Sequence, residues 1–99
     1  MLNLKLTQVR KGQYECSLTK ELDNLINVLR YGHYVMIDKY WLKEKLLPIR
    51  LPGRTIGNID FDDNLTITNI RLRKEEYNPT LHTEIDTILE KYIGYHLEI

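Results

Sequence analysis

The chain predicts an α+β domain: a small antiparallel sheet that includes a bent hairpin over about residues 54–73, with three helices packed on it in an unusual arrangement. Three observations lead there. "TIGNIDF" and "LTITNIRLR" alternate apolar and polar residues with the period of half-buried strands, on either side of an Asp/Asn-rich turn. Three other stretches carry apolar residues at helical spacing behind capping residues. Within 99 residues no repeat, low-complexity tract or linker divides the chain, so a single domain over 1–99 is expected.

Taken in order, "LNLKLT" sets Leu2, Leu4 and Leu6 on one face of a strand, "RKGQ" offers a turn and "YECSL" a returning strand. From Thr19 the expectation is a helix. Thr19 serves as N-cap, Glu21 and Asp23 put negative charge in the first turn, and Leu22, Leu25, Ile26 and Leu29 form one stripe ending at Gly32. "HYVMI" reads as a short buried strand. Asp38 caps a second helix, "KYWLKEKLL", that stops near Pro48, and "PIRLPGRTIGN" reads as a loop. A third helix starts from Asn78 and Pro79, carries Leu81, Ile85, Ile88, Leu89 and Tyr92 inward, and ends at Gly94. "YHLEI" is a last strand, which must pair with this chain's sheet or with a partner's.

The hairpin contains a phase error on each side. Ile56 is out of step with Ile59 and Phe61, and Leu65 and Ile67 are out of step with Ile70 and Leu72. A β-bulge produces such a slip, near Gly57 and near Thr68–Asn69. Around a turn at Asp62–Asn64 the two slips are expected roughly opposite each other.

Fourteen basic and fourteen acidic residues cancel, yet residues 1–54 hold ten Lys/Arg against five Asp/Glu, and residues 55–99 hold four against nine. Either a basic surface awaits an anionic partner, or the halves complement each other within the fold or across a dimer. Cys16 is the only cysteine, so no internal disulfide is possible and a buried thiol is expected. So thin a core points to dimerisation as its support. No signal peptide or membrane span is visible, and a soluble, intracellular product is expected.

Little in the sequence looks like reaction chemistry. In "IDFDDNLTIT", Asp60, Asp62 and Asn64 match the first ligands of a calcium loop, but Leu65 and Arg71 stand where glycine and a bidentate glutamate are needed, so the stretch reads as a hairpin tip. His33, His82 and His96 are scattered, with His82 and Asp86 one helical turn apart. No phosphate loop or nucleophile elbow appears, so neither a cofactor nor an enzymatic activity is expected.

Two groups of residues suggest binding instead. Lys39, Lys43, Lys45, Arg50 and Arg54 lie on the second helix and the segment after it, while Arg71, Arg73 and Lys74 lie on and beyond the second hairpin strand. A basic helix beside a basic ribbon is a footprint for DNA, and the order helix, strand, helix, hairpin is that of a winged helix lacking one helix. Tyr31, Tyr34, Tyr40 and Trp41 cluster in sequence and are candidates for the core or for a protein interface, and Leu97 and Ile99 on the last strand are candidates for an interface.

Across "MLNLKLTQVRKGQYECSLTKELDNLINVLRYG" and "RLPGRTIGNIDFDDNLTITNIRLRK" the chain resembles the small orphan proteins of filamentous viruses of hot-spring archaea, the lipothrixvirus and rudivirus groups. The resemblance implies a thermostable viral protein whose charges form ion-pair networks, and it carries no functional motif. A phage of a low-GC bacterium is the alternative source. The expected function is that of a non-enzymatic viral accessory protein, a homodimer that binds a host or viral protein. The alternative is a dimeric DNA-binding regulator using the basic helix and ribbon.

Overall fold

In the computed structural model, which describes residues 2–26 and 32–99, the chain is a mixed α+β fold. The strands are β1 (Asn3–Lys5), β2 (Thr7–Arg10), β3 (Gln13–Glu15), β4 (Tyr34–Met36), β5 (Leu46–Leu51), β6 (Arg54–Phe61), β7 (Ile67–Leu72) and β8 (His96–Glu98). Helix α1 (Ser17–Ile26) lies between β3 and β4, and α2 (Lys39–Lys43) between β4 and β5. Two 3-10 turns (Lys74–Glu76 and Pro79–Leu81) and α3 (His82–Tyr92) join β7 to β8. Leu29 of the expected first stripe and Tyr31 of the aromatic cluster lie outside the described residues. Among the described residues no helix is long and apolar enough to cross a membrane.

Strands β2 to β7 form one antiparallel sheet in chain order, and β1 pairs with β8 in parallel, Leu4 opposite Leu97. The last strand thus finds its partner at this chain's own beginning. β8 also bonds to the lead-in of β7: Leu97 N–H donates to Leu65 O at 2.8 Å, and Ile67 N–H to Tyr95 O at 2.8 Å. Since β1 runs through Leu6 into β2, backbone pairing passes from β7 to β8 to β1 and returns covalently to β2.

The core is a single cluster. Val35, Leu47, Ile49, Ile56, Ile59 and Ile67 of the sheet pack with Leu18 and Leu22 of α1, Ile85 and Leu89 of α3, and Leu4 and Leu97 of the terminal pair. Burying each such side chain contributes about 1.5–3 kcal/mol.

Several local expectations need correction. The second helix stops at Lys43, because Glu44 caps it and Lys45 takes a left-handed φ of 57°. The supposed loop that follows is β5, a strand interior to the sheet. Pro48 is tolerated there because β4 pairs only with Ile49 and Arg50, so no ladder N–H is required of it on that side. Pro52 and Gly53, the latter at φ +86°, form the β5–β6 turn. Asp38 does cap α2, accepting from Trp41 N–H at 2.9 Å.

Thr19 is inside α1, not at its N-cap. Its hydroxyl accepts from Cys16 N–H at 3.0 Å and donates to Cys16 O at 2.9 Å, closing the first turn from within. With the helix starting at Ser17, Glu21 and Asp23 fall beyond its first turn and serve tertiary contacts instead. Asn78 and Pro79 open a 3-10 turn that leads into α3, and Gly94, at φ +92°, follows that helix.

Both slips exist, but not face to face. One lies in the β5–β6 ladder, where Ile49 pairs with Gly57 and Arg50 with Thr55, leaving Ile56 as the extra residue. The other lies in the β6–β7 ladder, where Asp60 pairs with Asn69 and Phe61 with Ile67, leaving Thr68. The first serves pairing with a strand that had been read as a loop. A six-stranded sheet also removes the likeness to a winged helix.

Candidate binding face

Strand alternation separates an inward face, which builds the core, from an outward one. Register places Tyr34, Arg50 and Thr55 in one outward row, with Asn58 beside Arg71 and Asp60 beside Asn69 farther along. Arg50 is held in its row from both sides: Nε donates to Tyr34 Oη at 3.2 Å and Nη1 to Thr55 Oγ1 at 3.3 Å. Asn58 Nδ2 donates to Asp60 Oδ1 at 2.7 Å, and Arg71 lies 3.5 Å from Asp60 Oδ2.

Helix α2 packs against β5, and Pro48 is buried there. Around the β5–β6 turn the outward side is open and carries two clefts. The larger, about 470 Å³, is lined by residues including Arg10, Gln13, Glu15, His33 and Tyr34. The smaller, about 310 Å³, is lined by residues including Thr55, Asn58, Arg71 and Arg73.

Four of the basic residues named from the sequence are paired with carboxylates. Lys45 pairs with Asp63, Arg54 with Glu76 at 3.0 Å, Arg71 with Asp60 at 3.5 Å, and Lys74 with Asp86 at 3.0 Å. Lys39, Lys43 and Arg73 make no ion pair among the described residues. Helix α2 packs against β5, and Arg71 lies two strands away in the row Pro48, Asn58, Arg71. Lys45–Asp63 and Arg54–Glu76 each join a cation of the basic half to a carboxylate of the acidic half, so the asymmetry is met in part within the fold.

The interface candidates divide as well. Leu97 is 1% exposed and belongs to the core, contrary to expectation, because β8 folds back onto β1. Trp41 packs partly into the core with Tyr40 edge-on at 4.7 Å, and Tyr34 is engaged by Arg50. Tyr40, 60% exposed, and Ile99, 53% exposed, remain available.

At the hairpin tip, Asp62 Oδ1 accepts from Asn64 N–H at 2.9 Å and Thr66 N–H at 3.0 Å, the local turn bonding expected of aspartate. His82 Nε2 lies 2.8 Å from Lys74 O and Asp86 holds Lys74, so this pair anchors the turn before α3. Cys16 is free and buried, and burial raises the pKa of its thiol despite bonds to Thr19 that oppose the rise.

One polar cluster had no sequence signal. His33 is 1% exposed; its Nδ1 lies 2.7 Å from Asp23 Oδ1 and its Nε2 2.6 Å from Tyr77 Oη, while its backbone N–H also donates to Asp23 Oδ1 at 2.7 Å. Gly32 had been assigned to a helix end. A Cβ there would lie 2.4 Å from Asp23 Oδ2, so glycine is what lets the carboxylate reach its neighbour. Burial lowers the His33 pKa, with Asp23 acting against it, and burial with the nearby negative charges of Asp23 and Glu76 raises that of Tyr77.

Compared with known proteins, the chain matches no family model, no curated protein and no solved structure.

Proposed function

We propose that the chain is a non-catalytic viral accessory protein that works by binding another protein, through the open end of its outward sheet face. The observation that carries this reading is the row in which Arg50 is fixed between Tyr34 and Thr55, with a cleft on either side of the adjoining turn. Arg and Tyr are the side chains that most often anchor protein interfaces, and an arginine already oriented gives up less entropy on binding. The charges suit a protein too. Arg50 and Arg71 alternate with Asp60 and Glu15, whereas protein surfaces that bind nucleic acid are strongly positive. The Asp23–His33–Tyr77 cluster is enclosed: both His33 ring nitrogens are already engaged and its side chain has no exposed surface. Self-association into a dimer belongs to the same proposal.

DNA binding is the second reading, supported by Lys39, Lys43 and Arg73, whose charges meet no carboxylate among the described residues. Fluorescence anisotropy with random double-stranded DNA at several salt concentrations separates the two. A protein-binding role predicts no tight complex at low salt; tight binding that weakens steeply with salt would replace it with the DNA reading.

A further inference from the structure

We propose that His33 and Tyr77 form a proton-sensitive latch, fully bonded while His33 is neutral and weakened when it gains a proton. The latch joins the start of β4, where His33 forms part of the larger cleft's wall, to the connection between β7 and α3, where Tyr77 sits. It is independent of what the outward face binds.

The bonding pattern requires the neutral ring. Asp23 is acceptor-only when ionised, so Nδ1 carries the hydrogen and donates to it, and Nε2 is left to accept from the Tyr77 hydroxyl. All the polar atoms are then satisfied, and no buried side-chain donor or acceptor among the described residues lacks a partner. A second proton must go to Nε2, which then presents N–H to the hydroxyl. Tyr77 has to turn its own hydrogen elsewhere, and among the described residues its hydroxyl bonds only His33. Asp23 still holds the charged ring, so the strain is one-sided: the bond to Asp23 persists, while the bond to Tyr77 reverses, Nε2–H donating to Oη, and the buried hydroxyl hydrogen is left without an acceptor.

The surrounding charges set the balance. Asp23 on α1 favours the proton. Arg54 at the start of β6 and Glu76 before Tyr77 are paired with each other at 3.0 Å, and Arg10 and Glu15 of opposite sign line the cleft on the other side. Against Asp23 stands burial of the ring, which disfavours the charged form and wins.

The test is NMR of the histidine and tyrosine rings of the full chain between pH 8 and 4.5, on the wild type and on Tyr77→Phe. The wild type is expected to hold His33 as the Nδ1–H tautomer at pH 8 and to protonate it below the ordinary histidine value. The Tyr77 ring and the Gly32 and Tyr34 amides should shift with the same midpoint. In Tyr77→Phe the midpoint should move up toward the ordinary value, because a bond that favours the neutral ring is gone. A wild-type midpoint at or above the ordinary value, or Tyr77 signals that ignore the His33 titration, would overturn the proposal. The wild-type titration decides it even if the variant fails to fold.

Discussion

Glu21 on α1 and Lys91 near the end of α3, 70 positions apart in the chain, form an ion pair, and the Tyr92 hydroxyl donates to the other oxygen of the same carboxylate. One acidic side chain therefore ties together the two helices that share the core.

Partial burial works against the Glu21 carboxylate, but the bonds from Lys91 and Tyr92 outweigh it and hold its pKa below the ordinary glutamate value. A depressed carboxylate contributes stability that is present above its unfolded pKa and is lost as pH falls through the folded one. Acid unfolding should therefore show a component below about pH 4.5 that Glu21→Gln removes. Tyr92→Phe should cost about 1.5 kcal/mol by urea denaturation, the low end for a hydrogen bond to a charged group because the site is only partly buried.

His33 gives a second pH dependence with the same sign at higher pH. Its folded pKa is lowered, so the unfolded chain binds the proton more readily and stability falls as pH drops below the unfolded value near 6.5. Melting temperature should decline between pH 7 and pH 5, and His33→Gln should flatten that part of the profile at the cost of a lower starting value.

Gly57 lies under Arg71, where an added Cβ would be 2.2 Å from a backbone oxygen. Relief requires the β6–β7 ladder to move apart, so Gly57→Ala should destabilise by about 2–4 kcal/mol or prevent folding. Gly53→Ala meets no atom within 4 Å and pays only for its φ of +86° in the turn, about 1 kcal/mol. Denaturation of the two variants side by side checks the ranking.

Ile59 is fully buried at the centre of the longest strand, so Ile59→Ala should cost about 2–5 kcal/mol. Ile99→Ala, at an exposed chain end, should leave stability nearly unchanged.

These contrasts indicate how far local pattern reaches. The hairpin, its tip at Asp62 and both phase slips were legible because strand periodicity and turn chemistry are local. β5 was not, because two prolines and a glycine outweigh six mostly apolar residues unless one knows that β4 ends before Pro48. The pairing of β8 with β1 is a contact between chain ends, and no local feature of Leu97 marks it as core instead of interface. The Asp23–His33–Tyr77 cluster draws on three distant positions, and the glycine that permits it doubles as an ordinary helix stop. The arginine row needed the register: Tyr34, Arg50 and Thr55 become neighbours only once β4, β5 and β6 are paired.

Affinity capture from cell extract, treated with nuclease, tests the central claim most directly. The baits are the wild type, a face variant Arg50→Gln/Arg71→Gln, and a control Lys20→Gln on α1, each first shown to melt as a folded protein. The account predicts a defined protein retained by the wild type and the control and lost from the face variant. The same proteins on all three baits, or retention abolished by nuclease alone, would contradict it.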